Sequence, residues 1–123
     1  MDLTEFEELI MQALEELPDE LRQPLRNLEI EVHDLPSRDD LERARAGDPM
    51  ELLGLYSGVP LTQVGRDRIT GLVPDMIKIY KRPIEAICNT PVEIKQKARK
   101  VILHEVGHRF GITDERLREL DMY

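Results

Sequence analysis

Alternation of apolar and polar residues along the chain predicts a small set of helices and strands. Residues 4–17 carry apolar side chains at helical spacing, with glutamates between them, which predicts an amphipathic helix. Residues 28–33 alternate strictly between apolar and polar side chains, as a half-buried strand does. The same type of pattern predicts strands at 52–56 and 76–81, the last of them closed by Pro83. Strands in mid-chain between helices indicate an α+β fold.

The last third of the chain begins with a clear helix start. Thr90 and Glu93 have the spacing of a capping box, and Pro91 occupies the first helical position. A helix is therefore predicted over about 91–110. Its first turns are rich in lysine, whereas apolar residues dominate its second half, so we expect the helix to begin in solvent and to end in the core.

A motif typical of metal-dependent hydrolases begins near the end of that helix. Residues 104–114 read H-E-x-x-H-x-x-G-x-x-D. At about 100° per residue, His104 and His108 lie roughly 40° apart on one helical face, so both imidazoles can reach one ion. Glu105 projects about 60° to the side of His108, where a carboxylate can take a proton from a water molecule instead of binding the ion. This layout is typical of a zinc hydrolase.

The third ligand is predicted to be Asp114. Gly111 is placed to end the helix in a left-handed conformation, which would turn the chain back toward the ion. A second role for this segment remains open, because Thr113 can cap a final helix whose first turn favours an acid with or without metal. Glu115 and Glu119 are the alternative carboxylate ligands.

Composition narrows the function classes. The 123 residues suit a single domain, 1–123, with one hydrophobic core. Twenty-five acidic against 17 basic residues give a net charge of −8, which argues against nucleic-acid binding and against anionic membranes. Cys88 is the only cysteine, so it fits a small buried hydrophobe in a reducing compartment. With an acidic start and no long apolar run, a cytoplasmic protein is expected.

Three segments together resemble a known family, the small bacterial zincin-like metallopeptidase domains, which were long catalogued as a domain of unknown function. The segments are 53–61, 74–83 and 104–114. The last motif is shared by many zinc peptidases, and the first two are peculiar to the group. The resemblance covers roughly residues 28–120.

This resemblance implies a minimal zincin-like fold, in which a short mixed sheet of three or four strands packs on an N-terminal helix and on the active-site helix. It implies a metal site formed by His104, His108 and Asp114, with Glu105 as the base. The expected cofactor is Zn²⁺, although iron, cobalt or nickel can occupy similar ligands. The expected substrate is a peptide or protein.

The leading hypothesis is metal-assisted hydrolysis of a peptide bond. Tyr80 is a candidate helper for polarising the scissile carbonyl, although core packing or a place at a strand edge is the more common role of such a ring. Strand 76–80 is a candidate free edge for an extended peptide. The alternative is a non-catalytic zinc-binding or protein-interaction module. The alternative gains weight because nine residues follow Asp114 and larger relatives have a methionine turn further downstream. An unidentified protein partner that completes the cleft is compatible with both hypotheses.

Overall fold

A computed structural model of the chain describes residues 1–23, 25–26, 28–57, 76–107 and 111–120. His108 and the segment 58–75 lie outside the described residues, so the predictions that involve them are not tested by the structure. The described helices and strands follow in chain order: α1 (Leu3–Glu15), α2 (Asp19–Arg22), β1 (Glu29–His33), α3 (Arg38–Ala44), a 3₁₀ helix (Pro49–Glu51), β2 (Gly54–Tyr56), β3 (Met76–Tyr80), α4 (Lys81–Ala86), α5 (Pro91–Val106) and α6 (Asp114–Glu119).

The three described strands form one mixed sheet in the order β1-β3-β2. β1 runs parallel to β3, with Ile30 opposite Ile77, and β2 runs antiparallel to β3, with Gly54 opposite Ile79. β3 is therefore paired on both sides. The hypothesis that β3 offers a free edge to a peptide is wrong, because β2 occupies that position.

One face of the sheet packs on α1 and α5. Ile77 and Ile79 of β3 are fully buried there, and Ile30 and Val32 of β1 pack beside them. Buried residues from both helices join the same hydrophobic cluster: Phe6, Ile10, Ile94, Ala98, Ile102, Leu103 and Val106. The predicted α+β fold, with a mixed sheet on an N-terminal helix and the motif-bearing helix, is confirmed.

The opposite face of the sheet is covered by α3 through a buried ion pair. Ser37 and Asp40 form a capping box at the start of α3, and Asp40 is only 3% exposed. Lys78 of β3 donates from Nζ to the Asp40 carboxylate at 2.9 Å. Burial by itself would raise the pKa of Asp40, but the hydrogen bonds from Lys78 and the Ser37 backbone, together with the nearby Tyr80 hydroxyl, lower it to about 2. Asp40 therefore both begins α3 and fixes it to the central strand.

Tyr80 lies on this second face, two residues after Lys78 on the same strand. Its ring is fully buried, and burial together with the nearby Asp40 carboxylate raises the pKa of its hydroxyl. The hydroxyl is close enough to Asp40 to influence the carboxylate, yet among the described residues it completes no hydrogen bond of good geometry. Tyr80 faces away from α5, so the hypothesis that it assists catalysis is wrong.

Several elements differ from the sequence predictions, and β2 begins at Gly54 instead of residue 52. α1 ends at Glu15, so Leu17 follows the helix, although it is still buried in the core. α4 was not predicted, because Pro83 suggested the end of a strand. Pro83 instead occupies the third position of α4, where a helix does not use its backbone N–H. The chain therefore passes directly from β3 into a short helix.

β2 approaches α5 unusually closely at Gly54. A Cβ atom at this position would lie 2.7 Å from Val101 Cγ1 on α5 and 3.2 Å from the Lys78 carbonyl oxygen on β3. Real Cβ atoms do not tolerate the first distance, so any larger residue must separate the strand from the helix. The absence of a side chain at Gly54 sets the spacing of the two elements.

Replacing Gly54 with alanine is expected to lower the free energy of unfolding by about 1 to 3 kcal/mol, because overpacking forces backbone shifts. Val101→Ala should relieve part of this loss in the double variant, since it removes the closest contact. Urea denaturation of the two single variants and the double variant measures the coupling. Gly47→Ala is the control, because a Cβ there meets nothing within 4 Å. Strictly additive losses would contradict the proposed clash.

Asp40→Asn tests the ion pair through pH. Because the pKa of Asp40 is lowered in the folded state, its ionisation stabilises the protein above pH 3.8, and the stabilisation is lost as pH falls toward 2. The stability difference between wild type and Asp40→Asn should therefore shrink by about 1 kcal/mol between pH 5.5 and pH 3. Urea denaturation at both pH values measures this change. The exposed neighbour Asp39, replaced by asparagine, is the control, and a difference that does not vary with pH would contradict the assignment.

Candidate metal centre

α5 is fixed at its start by a side-chain cap. Thr90 Oγ1 accepts a hydrogen bond from the Glu93 N–H at 3.1 Å, and Pro91 follows at the first helical position, as predicted. The Glu93 carboxylate differs from a standard capping box, because it accepts from the Asn89 N–H at 2.7 Å, one residue earlier. The cap still satisfies backbone donors that a helix start leaves unpaired. It defines the register that places His104 in the last turn.

The motif end of α5 divides into a buried and an exposed side. Ile102, Leu103 and Val106 are fully buried against the sheet and α1, whereas His104 and Glu105 are exposed. The expectation that the helix ends in the core therefore holds for its apolar residues only. Packing of the buried side orients His104 and Glu105 away from the core, so both can meet a ligand that arrives from solvent.

His104 and Glu105 open onto a groove of about 410 Å³ between α5 and the segment that leads into β2. One wall comes from α5 and the other from the end of the 3₁₀ helix and the start of β2. The lining residues on the two walls are Lys97, Lys100, Val101, His104 and Glu105, and Glu51, Leu52, Leu53 and Gly54. Gly54 and Val101, which make the close contact between β2 and α5, both line the groove, and the groove is open to solvent.

The carboxyl group of Glu105 has a raised pKa in this groove. Although the residue as a whole is exposed, surrounding protein atoms partly desolvate its carboxylate, and this burial raises its pKa above the usual value. The neighbouring His104 opposes the change. A carboxylate of raised pKa holds a proton more readily, which suits a group that must accept a proton and then release it.

The chain reverses after α5 as the glycine predicts. Gly111 has φ of +81°, a left-handed conformation that glycine adopts without strain. The Ile112 N–H donates to the Gly107 carbonyl oxygen at 2.8 Å, and the Ile112 side chain is buried. This anchored turn delivers the chain to the start of α6.

Asp114 is the first residue of α6 and is half-buried. Thr113 caps the helix by accepting from the Arg116 N–H at 3.1 Å, so the expected final helix is present. An acid at this position is favoured by the helix dipole. Asp114 also follows directly after the Gly111 turn that separates α5 from α6. Of the two alternative ligands, Glu115 is exposed, and Glu119 pairs with Arg116 at 2.9 Å. Asp114 remains the predicted third ligand.

The described residues contain part of the predicted site. Among them, no three histidine, cysteine, aspartate or glutamate side chains converge on one point, and the predicted ligand His108 lies outside that part of the chain. The ligand set therefore remains a prediction. Cys88 borders a separate depression, and burial raises the pKa of its thiol, which disfavours a nucleophilic role.

Two groove residues were missed by the sequence analysis. Lys97 and Lys100 line the groove together with His104, at i, i+3 and i+7 along α5. This helical spacing is a signal that the sequence contains, because residues so spaced share one face. It was interpreted only as the solvated start of the helix.

Comparison with known families supports the geometric interpretation of α5. A family model described as zincin-like metallopeptidase matches residues 25–123, which is most of the chain. A comparison with curated proteins finds no match. The matched region contains the whole sheet, α5 with His104 and Glu105, and the turn to Asp114. The chain therefore belongs to the zincin-like metallopeptidase family.

Proposed function

We propose that the protein is a zinc-dependent metallopeptidase that hydrolyses peptide bonds. The observation that supports this most is the exposure of His104 and Glu105, side by side in the last turn of α5, within a groove bordered by a strand. A histidine and a glutamate in this relation provide a metal ligand and a base that need not compete for the ion. Family membership supports the same reaction class.

The proposed zinc ligands are His104, His108 and Asp114. The described donors fit the ion chemically, because an imidazole and a carboxylate oxygen are both common zinc ligands. When bound, zinc would polarise the scissile carbonyl and make a water molecule more acidic. Three protein ligands leave a coordination position open, which is typical of catalytic sites and not of structural ones.

Glu105 is proposed as the general base. Its exposed position in the groove allows it to take a proton from the attacking water, and the same carboxyl can then transfer that proton to the leaving amine. His104 and Glu105 are held in place by the buried residues beside them, so little reorganisation is needed before reaction. Tyr80 has no part in this mechanism.

The proposed substrate lies as an extended peptide beside β2. β2 is the last strand on its side of the described sheet, and Leu52, Leu53 and Gly54 form the wall of the groove that faces α5. An extended peptide placed there can pair with strand backbone, while its carbonyl groups face His104 and Glu105. Backbone pairing gives affinity for many sequences, so we expect broad specificity from this wall. The single cysteine fits our further proposal that the protein works in the cytoplasm.

A non-catalytic zinc-binding or interaction module is the second candidate. The open form of the groove supports it, because an enzyme usually buries most of its substrate. A protein partner that covers the groove would supply the missing enclosure. In that case the residues of the groove would bind a partner segment without cleaving it.

Metal analysis of the purified protein is expected to find one zinc ion per chain. His104→Ala should lower the bound zinc by at least about tenfold, because it removes one of three proposed ligands. Inductively coupled plasma mass spectrometry after dialysis measures the ratio. His33→Ala is the matched control, because this histidine lies on β1 beside Glu31 and outside the groove. Unchanged zinc in His104→Ala would show that the site is elsewhere.

Glu105→Gln is expected to retain zinc and to reduce peptide hydrolysis about 100-fold or more, since an amide cannot accept the proton. Mass spectrometry of a broad peptide library, digested by wild type and variant at equal zinc content, measures the loss. Glu51→Gln removes a carboxylate from the other wall and should keep most activity. If the wild type cleaves nothing in the library, the binding module becomes the better proposal.

A further inference from the structure

Lys97 and Lys100 share a helical stripe with the proposed zinc ligand His104. At about 100° per residue, Lys100 lies roughly 40° from His104 around the helix axis and Lys97 roughly 20° on the other side. All three line the same groove. Lys97 is half-buried and Lys100 is exposed, and both also border the smaller depression on the other side of the stripe.

The charges of these two lysines are not neutralised within the described structure. The neighbouring cations Lys95 and Arg99 both pair with Glu16, which ties α5 to α1. Neither Lys97 nor Lys100 forms an ion pair with any residue that the structure describes. They present two positive charges on one wall of a groove, in a chain whose net charge is −8.

Nearby carboxylates do not compensate them. Glu93 borders a smaller depression of about 170 Å³ beside the same lysines, but its carboxylate accepts hydrogen bonds from Asn89 and Thr90 at the start of α5. Glu51 lies on the opposite wall, in the 3₁₀ helix. Glu105 lies on the α5 wall, one residue beyond His104. An anion in the groove would therefore be attracted to the part of the α5 wall that carries Lys97 and Lys100, and repelled from Glu105 and from Glu51 on the facing wall.

The spacing along α5 indicates where such an anion would lie. Lys100 is four residues before His104 and Lys97 is seven, which at 1.5 Å per residue gives about 6 and 10 Å along the helix axis. An extended peptide advances about 3.3 Å per residue. For an extended peptide that runs along α5, the two lysines therefore lie beside a substrate residue two or three positions from the bond over His104.

We propose that Lys97 and Lys100 bind a substrate carboxylate two or three residues from the scissile bond, which makes the protein selective for acidic peptides. The carboxylate belongs to an aspartate or glutamate side chain or to the C-terminus of the peptide. This inference rests on the proposed peptidase function. It adds selectivity to a groove whose β2 wall recognises only backbone.

Binding tests the selectivity without requiring turnover. The probes are fluorescein-labelled pools of decapeptides with amidated C-termini, identical except that one internal position is fixed as glutamate or as glutamine. Fluorescence anisotropy measures their affinity for the zinc-loaded Glu105→Gln protein. The glutamate pool should bind about three- to tenfold tighter, and the preference should fall as salt is raised from 0.05 to 0.5 M. A third pool, with glutamine and a free C-terminal carboxylate, distinguishes the two sources of the carboxylate.

Substitutions identify the residues responsible. Lys97→Gln/Lys100→Gln, made in the same background, should abolish the preference, and Lys97→Arg/Lys100→Arg should keep it because both charges remain. Arg26→Gln/Arg38→Gln is the charge-matched control, since it removes two exposed positive charges outside the groove. Equal binding of the pools, or a preference that survives Lys97→Gln/Lys100→Gln, would overturn the proposal.

Cleavage separates this proposal from the one on which it rests. Wild-type protein with zinc should cleave glutamate-containing peptides with a kcat/KM about three- to tenfold above that for glutamine partners, and Lys97→Gln/Lys100→Gln should cleave both equally. Cleavage without any such preference overturns the acidic selectivity and leaves the peptidase intact. No cleavage, combined with charge-dependent binding, overturns the peptidase and leaves an acidic-peptide groove.

Discussion

The close packing of β2 on α5 is the constraint on which the candidate site depends. Gly54 permits a separation that no other residue allows, and the strand on one side and His104 on the other thereby become the two walls of one groove. α3 restrains the sheet from the opposite side, because Asp40 holds the central strand and Arg43 donates to Ser57 just beyond β2 at 3.1 Å. The sheet is thus fixed between two helical layers.

Local signals predicted the elements that carry the chemistry. The sequence predicted both the Thr90 cap and the glycine turn before Asp114, because caps and left-handed glycines depend on a few adjacent residues. The alternating strands were readable for the same reason. These features predicted His104 and Glu105 near the end of one helix and Asp114 in the turn that follows or in the first turn of the next helix. The exposure of His104 and Glu105 was not predicted, because the apolar residues around them indicated the core.

The pairing of strands and side chains far apart in the sequence could not be predicted from such local signals. The order β1-β3-β2 depends on contacts between residues far apart in sequence, so the predicted free edge at β3 was wrong. Alternation identifies the two faces of a strand but not which helix covers each, so the burial of Tyr80 beside Asp40 could not be predicted. The ion pair of Asp40 with Lys78 joins residues 38 positions apart, and neither residue type suggests burial. The helix that contains Pro83 was not predicted, because proline can end a strand but is also tolerated in the first turn of a helix.

The division of α5 into a buried side and a groove side has a consequence for the history of such proteins. Stability depends on the buried side, whereas the selectivity that we propose depends on the stripe that contains Lys97 and Lys100. Substitutions on that stripe can change the charge of the preferred peptide at little cost to folding, since surface changes usually alter stability by under about 0.5 kcal/mol. Related chains can therefore diverge in their targets while the scaffold and the zinc-binding motif stay the same.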